Sequence, residues 1–303
     1  MFYPSAPSNP CPLAADTPGL LTGHSIEMLA REVAGLKPAR RYLAPGSAVS
    51  ITYLSTDTQQ ARVDAAAAVR REGFEPVPHI AARRLGSAAQ LADFLAALVA
   101  EAGVQQVFII AGDADTSLGG YEDSLAVIRS GLLERYGIVQ VGLAGHPGGH
   151  AQIADARLWN ALSDKTAALD ERGLSCEIVT QFAFEAGPVL SWLERLRASG
   201  IHAPVRVGLP GPASVGALLR FASRCGVRTS ARTMARYGAP ITRLLDTAGP
   251  DRLVQVLCSG LDPARHGHVG AHLYPFGGLL RTARWAHAYS CAPALPSREG
   301  DPG

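Results

Sequence analysis

Polar and ionisable side chains follow short apolar runs along this chain, at the points where buried strands would end. They are Glu27, Thr52, His79, Asp113, His146, His150, Gln181 and, after His272, Tyr274. A packed core tolerates few such groups without partners, and the carboxyl ends of parallel strands share one edge of a sheet. The pattern predicts one polar site, although each residue alone could simply cap a helix or bind loop backbone.

Glu27 is the strongest candidate for chemistry. It follows Ser25-Ile26 inside an apolar run, where its carboxylate would lose its hydration. Loss of hydration raises the pKa of a carboxyl group and makes it a usable proton donor near neutral pH. We therefore predict that Glu27 is a catalytic acid.

Three further residues suit the recognition of a flat heterocycle. Asp113 follows Ala111-Gly112, so small residues would let its carboxylate approach a ring that bears N–H donors. Gln181 offers a donor and an acceptor, which match an amide-like ring edge, but it could equally be a satisfied barrel glutamine. Phe184, or Phe182 beside it, could stack on the ring or pack in the core.

The loop from His146 to His150, with two glycines and Pro147, would allow a ligand to approach the backbone closely. It lacks a third histidine or a carboxylate at a spacing that completes a zinc set, so we predict no metal site. The chain has no GxGxxG after its first strand and no GxxxxGK[ST] phosphate loop. Lys37 and Lys165 are its only lysines, and neither follows a strand, which disfavours Schiff-base chemistry. No HxH ends the first strand, which disfavours a metal-dependent barrel hydrolase.

Eight nearly continuous apolar runs predict parallel strands that are covered on both faces. They lie at 23–28, 48–54, 75–80, 106–112, 138–144, 177–182, 204–209 and 268–274. Segments with helical spacing lie between them, at 57–72, 87–102, 122–136, 151–172, 187–199, 213–225 and 250–260. Eight such units predict an α/β fold, a (β/α)8 TIM barrel, with an open doubly wound sheet as the alternative.

One catalytic domain is predicted over residues 19–290, with loose terminal segments at 1–18 and 291–303. An extra segment at 228–248, which Pro240 would divide into two short helices, lies between the seventh and eighth units. Its arginines, Arg228, Arg232 and Arg236, could meet a substrate carboxylate or a nucleotide phosphate, although a solvated helical face is the simpler interpretation.

Charge, hydropathy and cysteine content limit the classes of partner and the cellular compartment that we expect for this chain. The net charge is +2, and the arginines are scattered rather than clustered with aromatic residues, so no nucleic-acid partner is expected. No signal peptide and no apolar stretch of ~20 residues is found, so we expect a cytoplasmic protein without a membrane partner. The five cysteines form no CxxC pair and are expected to be reduced. Nothing in the sequence fixes the oligomeric state.

The strand ends, taken in order, resemble the methylenetetrahydrofolate reductase family over roughly residues 23–290. The matching motifs are SIE, VSITY, PHI, GD, HPGGH and VTQFAF, of which TQFxF is the most specific. HVGAHLY is similar to the family's last strand, with Pro275-Phe276-Gly277 in place of the usual Thr-Leu-Asn. The resemblance implies reduction of 5,10-methylenetetrahydrofolate to 5-methyltetrahydrofolate by NADH or NADPH, within one-carbon metabolism.

The same resemblance implies roles for individual residues. Glu27 would protonate N5 of the folate and open the imidazolidine ring to an iminium, while Asp113, Gln181 and Phe184 would bind the pterin. Cofactor contacts are implied at six positions: Thr52, His79, Gly112, Tyr121, His146 and His150.

Departures from the family pattern concern its flavin, FAD. Ala111 stands where the family carries an arginine, and His146 and Gly148 replace a tyrosine and a glutamate. Charged flavin contacts of the family fall near Trp159 and Leu169. If each lost contact resembles a charge-assisted hydrogen bond of ~1.5 to 3 kcal/mol, tight FAD binding is lost. We therefore predict direct hydride transfer from the nicotinamide, or transfer through a weakly held flavin.

Two other function classes remain open from the residues alone. The first is a folate- or pterin-binding or methyl-carrier barrel without redox activity, in which Glu27 and Asp113 only recognise a pterin. The second is a barrel lyase that acts on an unrelated acid. A binding protein would tolerate Gln at position 27, whereas a reductase would lose turnover and keep its folate affinity.

Overall fold

The strands of the computed structural model form one closed barrel. The structure describes residues 19–227, 233–234, 237 and 246–291. Within them the strands are β1 Ser25–Leu29, β2 Ala48–Thr52, β3 Glu75–Ala81, β4 Gln106–Ile110, β5 Gln140–Gly145, β6 Ser175–Phe182, β7 Val205–Pro210, β8 Ala213–Ser214, β9 Thr247–Ala248 and β10 Val269–Tyr274. Eight pair in parallel, in the closed order β1-β10-β7-β6-β5-β4-β3-β2, while β8 and β9 form a separate antiparallel pair.

Helices follow the barrel strands. Those in the described residues are α1 Leu36–Ala39, α2 Gln59–Arg71, α3 Ala88–Ala102, α4 Ser124–Arg129, α5 Leu132–Arg135, α6 Asp155–Glu171, α7 Ala186–Ala198, α8 Val215–Arg224, α9 Asp251–Gly260, α10 Pro263–His266 and α11 Leu279–Cys291. Short 3-10 turns span Ala30–Gly35, Arg40–Tyr42 and Ala82–Arg84. The side chains of Thr58, Ser87, Asp123 and Ser214 accept a backbone hydrogen bond at the start of α2, α3, α4 and α8, as good N-cap residues do.

The (β/α)8 barrel predicted from the sequence is confirmed, and the alternative of an open sheet is wrong. β1 pairs with β10 through Ser25–His272 and Ile26–Leu273, which closes the barrel. The helix expected over 122–136 is interrupted at Gly131, whose φ of +73° breaks it into α4 and α5. The helices expected over the other six segments are present, with ends that shift by a few residues.

In the described residues, the chain between the seventh and eighth barrel strands carries three helices, of which α8 and α9 match the helices predicted over 213–225 and 250–260. α8, α9 and α10 all lie between β7 and β10. Most of the 228–248 segment, including Pro240, Arg228, Arg232 and Arg236, lies outside the described residues, as do the predicted terminal segments apart from the last residue of α11.

Side chains alternate across the strands and divide the core into two parts. Outward residues such as Ile26, Val107 and Ile178 pack under the helices in one large apolar cluster. A smaller cluster of Val77, Phe108 and Val179 lies apart from it, and these strand positions face the barrel interior. This inner layer separates a polar amino end of the barrel from a polar carboxyl end.

A half-buried ion pair lies at the amino end of the barrel. Arg206 Nε donates to Glu177 Oε1 at 2.7 Å, and Arg206 Nη1 donates to the carbonyl oxygen of Gly23 at 2.7 Å. These bonds tie β6 and β7 to the turn that precedes β1, at the end opposite to the mouth.

The cysteine prediction is wrong in one respect. Cys258 is disulfide-bonded, while Cys176 and Cys225 are free thiols. In the described part of the chain no helix is long and apolar enough to span a bilayer.

Candidate functional site

Glu27 lies on β1 and points into the barrel mouth, beside Ser50 of β2 in the strand register. Its side chain is 15% exposed, and burial raises its pKa to about 7, with the nearby Glu32 carboxylate adding to the increase. The Thr52 hydroxyl lies near this carboxyl and lowers the pKa in part, yet Thr52 Oγ1 makes no ordinary hydrogen bond to any described residue. Glu27 is therefore protonated in a large fraction of molecules at neutral pH and can still be reached from the mouth.

The imidazole nearest to Glu27 belongs to His79 on β3. His79 Nε2 lies 3.8 Å from Glu27 Oε1, which exceeds hydrogen-bond distance. Burial lowers the pKa of His79 to about 3, and the Arg62 guanidinium lowers it further. Between these two pKa values both groups are uncharged, so Glu27 holds its proton without an ion-pair partner.

A second neutral imidazole supports β1 from the other side. His272 Nδ1 lies 2.8 Å from the Ser25 hydroxyl, across the seam that closes the barrel. Burial lowers the pKa of His272 to about 3, and His79, Arg206 and His24 add to the shift. The bond fixes the strand position two residues before Glu27.

Tyr274, at the end of β10, lies near Glu27. Its hydroxyl donates to the Thr180 carbonyl at 3.1 Å, and burial together with the Glu27 charge holds its pKa well above the usual range. Gly208 makes room for this ring, because a Cβ at that position would lie 2.8 Å from Tyr274 Cε2 and 2.4 Å from the Thr180 oxygen.

Gln181 reaches the same region through an irregularity in β6. The register between β6 and β7 shifts between Val179 and Phe182, a bulge that redirects the side chains around Gln181. Gln181 Nε2 donates to the Cys225 carbonyl at 2.6 Å, and the Cys225 thiol interacts electrostatically with Glu27. The structure thus brings Glu27, Thr52, His79 and Gln181 together, but one amide hydrogen of Gln181 is already bound.

Asp113 is placed differently from what its sequence context suggests. Its side chain is 72% exposed and accepts two hydrogen bonds from Arg84, at 3.1 Å from Nε and 2.9 Å from Nη2. The preceding Gly112 has φ +90°, and a Cβ there would lie 3.2 Å from Ala81 Cβ. Asp113 is thus anchored at the rim by a guanidinium rather than buried beside Glu27.

Phe184 belongs to an aromatic cluster next to the mouth. It is 5% exposed and makes edge contacts with Phe182 and Tyr237, at ring-centroid distances of 5.7 and 5.1 Å. Phe182 in turn contacts Tyr274 and Phe276. Phe184 therefore has the packing of a core aromatic, and Tyr274 and Phe276 are the half-buried rings of this cluster.

His146 and His150 lie together on the loop after β5, with ring centroids 5.8 Å apart. His150 Nδ1 accepts from the Gln152 backbone N–H at 3.1 Å. Burial lowers the pKa of His146 to about 4, and His150 and Lys165 contribute to the shift. Lys165 lies on α6, and its ammonium group is close enough to act on this loop. The sequence did not predict this contact, because Lys165 lies within a helix and not at a strand end.

Tyr121 lies away from the residues around Glu27. It is 8% exposed and lines a separate surface pocket with Ala88 and Arg129, between α3 and α4. The structure describes no contact between Tyr121 and the mouth.

The residues at the family's flavin-contact positions do not fit a tightly held FAD. Ala111 supplies no cation, and the Trp159 ring is packed against Trp192 and covered by the Arg195 guanidinium at 4.3 Å. Leu169 has no exposed surface and packs in the core, so it does not face the mouth at all. Among the described residues no three His, Cys, Asp or Glu side chains lie close enough to hold a metal ion.

The model of one protein family matches this chain. The family is methylenetetrahydrofolate reductase, and the match covers residues 28–243. The chain belongs to this family. The match begins one residue after Glu27, so the case for Glu27 rests on its environment in the barrel and on the motif around it.

A solved structure shares the barrel fold of this methylenetetrahydrofolate reductase family member. An uncharacterized Clostridium thermocellum protein, described as binding two copies of 5-methyl-5,6,7,8-tetrahydrofolic acid, has a TM-score of 0.55 at 9% identity, over 88% of this chain and 94% of that one. A dihydropteroate synthase from Thermus thermophilus has a TM-score of 0.47 at 14% identity, over 88% and 93%. The first likeness shows the fold, and the second is too low to bear on fold or function.

Proposed function

We propose that this family member reduces 5,10-methylenetetrahydrofolate to 5-methyltetrahydrofolate with NADH or NADPH. The observation that carries the proposal is Glu27, an acid whose pKa of about 7 results from burial at the barrel mouth. The reaction needs one proton and one hydride, and Glu27 can supply the proton. The folate bound by the Clostridium thermocellum protein is consistent with a folate substrate here.

Glu27 would act on the imidazolidine ring of the substrate. The proton must be delivered to N10, the leaving nitrogen, as the bond between N10 and the methylene carbon breaks, because the lone pair of N5 is needed to form the iminium at N5. The resulting Glu27 carboxylate is desolvated and has no charged imidazole beside it, since His79 is neutral above pH of about 3. Glu27 therefore takes up a new proton readily once product has left.

The hydride would pass from the nicotinamide to the methylene carbon of this iminium. Direct transfer is favoured because Ala111, Trp159 and Leu169 do not supply the charges for a tightly held FAD. The hydride donor is then a second substrate that shares the mouth with the folate. The protein's own contribution is to orient both rings and to exclude water.

Gln181 and Asp113 would orient the pterin from two sides. Gln181 keeps one amide hydrogen bound to Cys225 and can present its remaining donor and its oxygen to a ring edge. Asp113 lies at the exposed rim, so it would reach the pterin only if the Arg84 contact rearranges or if the ligand extends to the rim.

The test is NADH and NADPH oxidation with methylenetetrahydrofolate by purified protein, with the absorbance spectrum recorded first and no flavin added. Glu27→Gln should reduce kcat by at least about 100-fold, as expected for loss of a general acid, with folate affinity largely kept. Glu101→Gln, at an exposed carboxylate on α3, should leave turnover unchanged. A stoichiometric flavin band that is required for turnover would overturn direct hydride transfer but keep the reductase assignment.

A folate-binding barrel without redox activity is the competing function. It predicts no turnover with any nicotinamide or flavin, together with unchanged folate affinity in Glu27→Gln. Both functions predict that Glu27→Gln keeps its folate affinity, so turnover of the wild type separates them: a protein that binds 5-methyltetrahydrofolate but shows no turnover is the binding barrel.

A further inference from the structure

A second polar cavity lies behind the mouth, on the outer side of β2 and β3. It has a volume of about 110 Å³. The polar residues that line it are Tyr53, Asp57, Gln59, Arg62, Arg84 and Gln90. A cavity of this size has room for several water molecules or for one small ion, but not for a nucleotide or a folate.

Arg62 is a buried cation that makes no direct ion pair in this cavity. It is only 8% exposed, and no carboxylate of the described residues lies within ion-pair distance of it. Its guanidinium lies between the rings of Tyr53 and Phe94, at 4.8 and 4.5 Å from their centroids, and Nη1 donates to the His79 carbonyl at 3.3 Å. Arg62 Nε is buried and has no hydrogen-bond partner in the described structure. A buried guanidinium with an unused donor is costly, which favours an anion in the cavity.

Asp57 limits which anion can bind. It lines the same cavity, and its Oδ2 atom is buried without a hydrogen-bond partner among the described residues. A fully deprotonated oxyanion would place an acceptor against this acceptor. An oxyanion that keeps one hydrogen could accept from Arg62 and donate to Asp57.

We propose that this cavity binds a small protonated oxyanion of the hydrogen phosphate class. The two arginines that line it each hold a residue of the candidate site: Arg62 binds the His79 carbonyl, and Arg84 binds Asp113. An anion here competes with Asp113 for Arg84 and neutralises the cation behind His79. The cavity thus acts on the mouth from outside it, and its occupancy does not depend on the reaction catalysed there.

The test is calorimetric titration of the full chain with inorganic phosphate and with sulfate, at pH 7.5 and constant ionic strength. Phosphate should bind at least about tenfold more tightly than sulfate, because sulfate carries no hydrogen for Asp57. Asp57→Asn, whose amide can donate, should remove most of this preference by improving sulfate binding. Equal affinity for the two anions in both proteins, or no binding of either, would overturn the proposal.

Arg62→Gln should weaken phosphate binding at least about tenfold, as expected for loss of a charge-assisted hydrogen bond. Arg71→Gln, on the same helix but exposed, is the matched control and should bind as the wild type does. An equal loss in both variants would show general charge attraction and sink the assignment. If Arg62→Gln does not fold, the Asp57→Asn comparison decides alone.

Discussion

Burial in the same barrel shifts the pKa of Glu27 and the pKa values of His79 and His272 in opposite directions. Burial disfavours the charged form of any group, so it raises the pKa of a carboxyl and lowers that of an imidazole. The sequence context of Glu27 was enough to predict its raised pKa. The neutral state of His79 also depends on Arg62, which lies 17 positions earlier on a helix and could not be placed beside it from the sequence.

At this scale we expect Glu27→Gln to stabilise the fold at alkaline pH. Because the folded pKa of about 7 lies above the ordinary value of 4.5, the native state binds more protons than the unfolded state between these values. Stability from this residue is therefore present below pH 4.5 and is lost as pH rises towards 7. The variant should gain up to roughly 3 kcal/mol at pH 8 and almost nothing at pH 4. Urea unfolding at both pH values measures this, and an equal effect at both would contradict it.

His79→Gln should reduce the loss of stability in acid. Its folded pKa of about 3 lies below the ordinary value of 6.5, so the unfolded state takes up a proton first as pH falls from 6.5 towards 3. Each such histidine makes unfolding more favourable by about 1.4 kcal/mol per pH unit in this window. The melting temperature of His79→Gln should therefore fall less between pH 7 and pH 4 than that of the wild type. The exposed His202 gives a matched control, since His202→Gln should show the same fall in melting temperature from pH 7 to pH 4 as the wild type.

Among the elements, the positions of the strands could be predicted best from the sequence, and the contacts between the loops at the rim of the barrel could be predicted least. Eight continuous apolar runs with helices between them leave few alternatives to a barrel, because each run must be covered on both faces. The prediction that Asp113 recognises a ring stays a prediction, but its exposed position at the rim depends on a contact with Arg84, which comes from a 3-10 turn after another strand. Long-range pairs between loops leave no periodic signal in a sequence.

The close packing of Gly208 on β7 against Tyr274 on β10 predicts that a larger residue at position 208 destabilises the barrel. Gly208→Ala would place a Cβ 2.4 Å from the Thr180 oxygen and 2.8 Å from the Tyr274 ring, so it should destabilise the protein by about 1 to 3 kcal/mol. It should also displace the Tyr274 ring beside Glu27 and reduce turnover. Gly187→Ala, on α7 with open space around its Cβ, is the control and should be neutral or slightly stabilising. Equal melting temperatures for both variants would argue against this packing.

Over the whole molecule, neighbouring strands of the barrel differ in how many residues they pair. β1 and β10 share two residue pairs, whereas β5 and β6 share six, from Gln140–Ser175 to Gly145–Thr180. Fewer shared backbone hydrogen bonds mean a smaller free energy of local opening. Amides of Ser25–Leu29 should therefore exchange with deuterium earlier than those of Gln140–Gly145 in native-state mass spectrometry. Simultaneous exchange of the two seams would indicate that the barrel opens only as one unit.

The same seam between β1 and β10 determines when Glu27 acquires its raised pKa. Ser25 and its partner His272 are 247 positions apart in the chain, so β1 stays without its last neighbour until nearly all of the protein has been synthesised. During that time Glu27 is hydrated and behaves as an ordinary, ionised surface glutamate. A nascent chain released before β10 would therefore carry nearly all of the family's motifs, but its Glu27 would lack the raised pKa of the folded protein.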